Sequence, residues 1–258
     1  MLEEIKNLTS RAGAMLLEAA NIQSTNKEGQ GEYVTQWDVD VQNMLKENLL
    51  ALCPEAGFLG EEGGELPPEL ESGYCFIVDP IDGTNNFIRG FRHSAVSVAL
   101  SHKKEILYGV ICNPYLGEVF YAEKGRGAFC NGKAISTARR PLKESVVIFG
   151  TSSYDRSFAG PTFKLLRLLF DRAEDLRNGG SAALDICYVA SGRGDLFFEC
   201  QLCPWDYAAG FLILNESGGV METLDGKTPT LTGKNSIIAS TPALLNEIKS
   251  LGLLGLTP

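Results

Sequence analysis

The order of elements in this 258-residue chain predicts an α/β fold of the layered, α+β kind, with helices packed over mostly antiparallel sheets. Three observations carry that expectation. Two amphipathic helical stretches open the chain; three strand-like runs separated by turn or polar segments follow from Ala95; and beyond residue 145 strands and helices alternate. A hydrophobic content of 44% is enough to bury one large core or two closely joined halves.

In residues 2–20, Leu2, Ile5, Leu8, Ala12, Met15, Leu16 and Ala19 recur at helical spacing among charged positions, which predicts a first helix. A mostly polar stretch, 22–35, ends in Tyr33-Val34-Thr35. A second helix then follows from Val41, Met44, Leu45, Leu49 and Leu52, with Asp38 in its first turn, where a carboxylate complements the helix dipole. Residues 54–74 carry Pro and Gly throughout, around Gly60-Glu61-Glu62-Gly63-Gly64, and predict an irregular loop. The apolar run Cys75-Phe76-Ile77-Val78 predicts a short buried strand ending at Asp79. Ala95–Leu100, Ile106–Cys112 and Val119–Ala122 predict an antiparallel meander, continued through the turn Asn131-Gly132. A strand over 145–150 comes next, then a helix opening at Pro161, then a helix through Ile186, Val189 and Ala190 after Asn178-Gly179-Gly180-Ser181. Leu196–Glu199 reads as a strand, Trp205-Asp206 opens a helix with Asp206 as its N-cap, and Ser236–Ala239 leads into a terminal helix.

The bulk numbers exclude several classes. A net charge of −9, from 23 basic and 32 acidic residues, argues against nucleic acid as a partner, because phosphate backbones are bound through an excess of Lys and Arg. It permits a small phosphoester if divalent metal ions invert the local field. The charged start Met1-Leu2-Glu3-Glu4 and the lack of a long apolar run predict no membrane segment and a cytoplasmic address. Seven cysteines fit no disulfide framework, and Cys200-Gln-Leu-Cys203 reads as a structural thiol pair. The two histidines, His93 and His102, read as surface or packing residues.

The chemistry concentrates in Asp79-Pro80-Ile81-Asp82-Gly83-Thr84-Asn85-Asn86-Phe87. Two carboxylates three residues apart with the Ile81 carbonyl between them make half a site for a hard divalent cation. No Lys or Arg lies within residues 76–88 to compensate them, so a metal ion is the fitting counter-charge. After Gly83 the chain can enter a helix whose first-turn N–H groups at Thr84, Asn85 and Asn86 suit an anion. Gly180-Ser181 before a helix offers a similar N-terminus, or a plain serine cap.

This nine-residue run resembles the D-P-[IL]-D-G-T-x-N-F motif of the inositol monophosphatase family of metal-dependent, lithium-sensitive sugar phosphatases, at every defined position. Val34-Thr35-Gln36-Trp37-Asp38, the Glu61-Glu62 loop and Trp205-Asp206-Tyr207-Ala208-Ala209 resemble further family elements, in the family's order, over residues 2–250 or so. The resemblance implies one αβαβα-layered domain over 1–258, with a metal-binding part over 1–140 and an α/β part over 141–258, and a homodimer.

The resemblance also implies a ligand set. One Mg²⁺ would be held by Glu61, Asp79 and the Ile81 carbonyl, and a second by Asp79, Asp82 and Asp206. A third ion, supported through water by Asp38, and Mn²⁺ in place of Mg²⁺, are further possibilities. Thr84 with Glu61 would orient the attacking water, with Asp38 also in the catalytic set and Glu62 behind it. Asp82, Gly83, Thr84, Gly180, Ser181, Ala182, Glu199 and Asp206 would face the substrate, a small phosphorylated metabolite, with no phosphoenzyme formed. Inositol monophosphate fits Glu199, seven residues before Asp206. Phe87-Ile88-Arg89-Gly90 instead resembles branches that act on fructose 1,6-bisphosphate or 3′-phosphoadenosine 5′-phosphate, with Arg89 meeting a second phosphate. A catalytically idle, metabolite-binding relative is the alternative from a different class.

Overall fold

A computed structural model describes residues 1–20, 22–26, 33–63 and 65–254. The chain runs α1 (Leu2–Glu18), β1 (Ser24–Asn26), β2 (Tyr33–Thr35), α2 (Gln36–Leu52), β3 (Gly57–Gly60), α3 (Glu69–Ser72), β4 (Tyr74–Asp82), α4 (Thr84–Arg89). It continues β5 (Ala95–His102), β6 (Glu105–Asn113), β7 (Glu118–Glu123), β8 (Ala128–Cys130), β9 (Lys133–Ala134), β10 (Val146–Phe149), α5 (Ala159–Phe170), β11 (Asp175–Arg177). It ends α6 (Ala182–Ala190), β12 (Leu196–Leu202), α7 (Pro204–Glu216), β13 (Val220–Glu222), β14 (Asn235–Ser240), α8 (Pro242–Ser250).

Two sheets carry the architecture. The first has seven strands in sequence order, β3 to β9, and only the β3–β4 pairing is parallel. The second has the order β11-β10-β12-β14-β13 and is mixed: β10 pairs in parallel with β11 and β12, while β14 is antiparallel to β12 and β13.

The apolar positions of α1 and α2 explain the outer layer. Ile5, Leu8, Ala12 and Leu16 join Val41, Leu45 and Leu49 over Phe76, Val78, Val96, Val98 and Val110 on one face of the first sheet. The other face, through Ile77, Ala99, Ile111 and Phe120, meets Ala183 and Ile186 of α6 and Tyr207, Ala208 and Leu212 of α7. That helix pair also covers Phe197, Ile237 and Ala239 of the second sheet, whose far side packs on α5 and α8 through Leu165, Leu169, Leu244 and Ile248. The layers are therefore α1α2, sheet, α6α7, sheet, α5α8. Because β4 lies between two helical layers, its residues are apolar in succession, as expected of a strand buried on both faces.

Several elements differ from the sequence expectation. Residues 54–74 are not wholly irregular: Gly57–Gly60 is a strand whose hydrogen bonds come from β4, and Glu69–Ser72 is a single helical turn. β11 and β13 have three residues each, too few to show a period, and their neighbours define them. The helix assigned to Pro161 starts two residues earlier, at Ala159, after a 3₁₀ turn over Arg156–Phe158. Of the polar stretch 22–35, residues 27–32 lie outside the described residues, as does Gly64 of the Glu61 loop.

The close seating of α7 on β6 depends on Gly109. A Cβ there would stand 2.6 Å from the Ala209 carbonyl oxygen and 3.1 Å from its Cα, both backbone atoms that cannot turn aside. Gly109→Ala is expected to cost about 1–3 kcal/mol of unfolding free energy, as forced overpacking does. Denaturant midpoints check this; an unchanged midpoint would show that the two layers can separate freely at this point.

Candidate active site

The site starts at the end of β4. The strand does not stop at Asp79 but continues to Asp82, through an irregularity in which three steps on β4, Asp79 to Asp82, oppose two on β5, Ser97 to Ala95. One extra residue is thereby inserted. In a regular strand, positions three apart point to opposite faces, so the bulge is what lets both carboxylates serve one side. Gly83 then adopts φ +85, and a Cβ on it would lie 2.8 Å from the Gly180 carbonyl oxygen. The chain turns there into α4, with Thr84 as the first helical residue.

The second half of the chain closes the cluster. Ser181 caps α6, and its hydroxyl and the Ala183 N–H (2.8 Å) both donate to Asp82 Oδ2. Asp206 is not the N-cap of α7, as the sequence suggested; Cys203 holds that position, and Asp206, three residues on, accepts from the Cys203 N–H at 2.6 Å. That bond fixes the Asp206 side chain at the helix start. Oxygens of Asp79, Asp82 and Asp206 lie within 4.8 Å of one another.

Such crowding shifts their acidity. Burial, and then the charges of Glu61, Asp82 and Asp206, hold the Asp79 carboxyl well above the usual range. Burial pushes Asp82 up to about 6 against the opposing pull of its Ser181 and Ala183 donors. Loss of surrounding water, followed by Asp82 and Glu61, raises Asp206 as well. This donor set fits hard divalent cations: several carboxylate oxygens converge from one bulged strand and one helix start, and each is destabilised by the others until a cation is shared. Glu61 and the Ile81 carbonyl stand at the same cleft to complete it.

The loop bearing Glu61 is held by α2. Gln42 Nε2 donates to the Glu62 carbonyl at 2.7 Å and Gln42 Oε1 accepts from the Glu62 N–H at 3.0 Å, while Gly60 leaves the space that the Gln42 amide fills. Thr84 stands beside the buried side chain of Asp38. Its Oγ1 lies 3.3 Å from Asp38 Oδ1 and 3.0 Å from the Ile81 carbonyl oxygen. Asp38 does not line the cleft. It is fully buried in the first turn of α2, where its Oδ2 accepts from the Thr35 N–H (2.7 Å) and hydroxyl (2.6 Å), an arrangement that fixes Oδ1 towards Thr84.

Glu61, Asp79, Ile81, Asp82, Gly83, Thr84 and Asp206 line one cleft of about 660 Å³, together with Gly180, Ser181, Ala182 and Glu199. Arg89 ends α4 exposed to solvent and does not line it; among the described lining residues Lys234 is the one Lys or Arg. Asn86, expected from sequence in an anion-binding first turn, lines the cleft, and so do Ser152, Tyr154 and Asp185, which were not singled out from sequence as site residues. For Asp185 a signal existed, a carboxylate inside the apolar helix Ala-Ala-Leu-Asp-Ile-Cys. Of the two readings of His93, surface or packing, the second holds: its Nε2 is buried and its ring packs on Tyr188. The seven cysteines are free thiols, and Cys200 Sγ accepts from the Thr162 hydroxyl at 3.2 Å.

Glu199 sits on the inner wall of the cleft, its Oε1 accepting from the Ser152 N–H at 2.8 Å, with Gly150 leaving room for the carboxylate. Burial, only partly offset by that bond, pushes it up to about 8. A carboxyl raised in the fold stays neutral there while the unfolded chain ionises near 4.3. Its contribution is therefore complete below about pH 4.3 and is lost as pH rises towards 8. Glu199→Gln is expected to flatten the fall of stability of the metal-free protein between these limits, measured as urea midpoints against pH; a slope equal to wild type would contradict the assignment.

Residues 1–251 match the model of the Inositol monophosphatase family. The chain belongs to the inositol monophosphatase family. That groups it with phosphoric monoester hydrolases. It is 40% identical to an inositol-1-monophosphatase of Rhizobium meliloti over 81% of this chain and 78% of the relative. It is 34% identical to the Nus factor SuhB of Vibrio cholerae over 93% of this chain and 91% of that protein. The crystal structure of the extragenic suppressor protein suhB from Bartonella henselae is similar with a TM-score of 0.87 and 36% identity, over 95% of each chain. The four sequence elements that carried the resemblance are the ones that build the cleft and its immediate support.

Proposed function

We propose that this protein hydrolyses a small sugar-like phosphate monoester, inositol monophosphate foremost, with two or three Mg²⁺ ions, or Mn²⁺, held by Glu61, Asp79, the Ile81 carbonyl, Asp82 and Asp206. The observation that carries the reading is the convergence of Asp79, Asp82 and Asp206 within 4.8 Å beside a helix start suited to phosphate. Bound there, divalent cations supply neutralisation of phosphoryl charge and acidification of water.

The protein's own groups do the positioning. The N–H groups of Gly83 and Thr84 hold phosphate oxygens, and the Thr84 hydroxyl orients the attacking water, passing its proton towards Asp38 Oδ1. Asp82, fixed by Ser181 and Ala183, and Asp206, fixed by Cys203, stay in place through the reaction. The strip Gly180-Ser181-Ala182 and Glu199 face the polyol, whose hydroxyls need donors and acceptors rather than cations. That the exposed Arg89 does not line the cleft favours this class over a bisphosphate. Family resemblance alone extends the reading to a homodimer.

Phosphate release from inositol 1-phosphate, fructose 1,6-bisphosphate and 3′-phosphoadenosine 5′-phosphate with Mg²⁺ tests the reading. The highest kcat/KM is expected on inositol 1-phosphate. A faster bisphosphate reaction would move the assignment to those branches, and no turnover on any of the three would make the protein a binder.

A further inference from the structure

The seam between the motif loop and α6 contains an ionisable pair that the reaction as described does not use. Asp185, in the first turn of α6, is 2% exposed. Its carboxylate fills the space where a side chain at 179 would begin, which is why that position is glycine. Across the seam, His93 Nε2 lies 3.6 Å from Asp185 Oδ1, buried and without a hydrogen bond, and the imidazole packs on Tyr188 one turn further along α6, ring centroids 5.7 Å apart. A buried carboxylate and a buried ring nitrogen are each costly alone, so two of them facing one another is an arrangement with a purpose in the fold.

The surroundings show what the pair holds. The Asn86 side-chain amide donates to the carbonyls of His93 (2.7 Å) and Gly179 (2.9 Å), so the backbone of His93 and the glycine turn share one donor. Gly83 packs on the carbonyls of Gly180 and His93 together. Asp185 braces the turn from beneath, and His93 braces Asp185. The segment so fixed is the strip Gly180-Ser181-Ala182 that lines the cleft.

We propose that His93 and Asp185 are positioning residues that hold this strip in register with the motif loop and thereby set the affinity for the sugar part of the substrate. The inference rests on the reading given under Proposed function and adds residues to it. Neither side chain is assigned contact with the reacting atoms; misplacement of the strip by a fraction of an ångström is the mechanism, and such displacements cost roughly tenfold or more.

Steady-state kinetics on inositol 1-phosphate, with inorganic phosphate as competitive inhibitor, test it. Asp185→Asn, which keeps the shape over Gly179, and His93→Phe are each expected to raise KM about tenfold, with kcat within about threefold and the phosphate Ki raised less than about threefold, since the strip reaches phosphate only indirectly, through the Ser181 bond to Asp82, while the polyol lies against it. His93→Gln, which restores an N–H near the Nε2 position, is expected to bring KM back to within about twofold of wild type. KM unchanged in Asp185→Asn overturns the proposal whether or not His93→Phe folds. So does a phosphate Ki that rises in step with KM, because that marks general loosening of the site. Wild-type enzyme that does not turn over inositol 1-phosphate defeats the substrate reading itself, a result distinct from either.

Discussion

Asp79→Asn is expected to lower phosphate release at least about 1,000-fold, roughly 4 kcal/mol of transition-state stabilisation, while the metal-free protein unfolds no more easily than wild type. The asymmetry follows from the position of Asp79. It is 1% exposed, and Glu61, Asp82 and Asp206 all press on its charge. An amide of the same shape still accepts from the Ile81 N–H, which reaches Asp79 Oδ1 at 3.0 Å, so the bulge survives. What goes is one of the negative charges that a divalent cation needs, and with it the electrostatic preorganisation on which phosphoryl transfer depends. Paired measurements of kcat and the apo melting temperature check this. Retained turnover removes Asp79 from the metal site, and a large loss of apo stability would show that the residue is chiefly structural.

Thr84→Val is expected to lower kcat about 100- to 10,000-fold with KM little changed, the range for losing a group that orients and deprotonates the nucleophile. Valine keeps the branched shape and the first-turn position in α4 but cannot donate to Asp38 Oδ1 or to the Ile81 carbonyl. Thr84→Ser keeps the hydroxyl and is expected to stay within about tenfold of wild type. If valine and serine behave alike, the hydroxyl has no part in the chemistry, and Asp38 is then only the capping partner of Thr35 that its bonds there describe.

Much of the site was legible because it is local. Asp79-Pro-Ile-Asp-Gly-Thr is contiguous, and its lack of any basic residue pointed to a metal before the fold was known. The bulge was not legible: a separation of three reads as a turn, and only pairing with Ser97 and Ala95 shows a strand with one residue added. The contact between Thr84 and Asp38 was not legible for a similar reason, since Asp38 lies 46 residues away, hidden behind an N-terminal capping pattern that is common in helices. Asp185 and His93 lie still further apart, and neither has meaning until α6 docks on the motif loop. Of the layers, the long periodic helices and the meander were plain. Three-residue strands such as β11 and β13 exist through their neighbours, and no local pattern announces them.

Anomalous diffraction from crystals of the wild-type protein soaked with Mn²⁺ and phosphate is the most direct measurement. Two strong peaks are expected among Glu61, Asp79, the Ile81 carbonyl, Asp82 and Asp206, with phosphate at the N–H groups of Gly83 and Thr84. Density for Mn²⁺ elsewhere on the surface and none between these carboxylates would contradict the account.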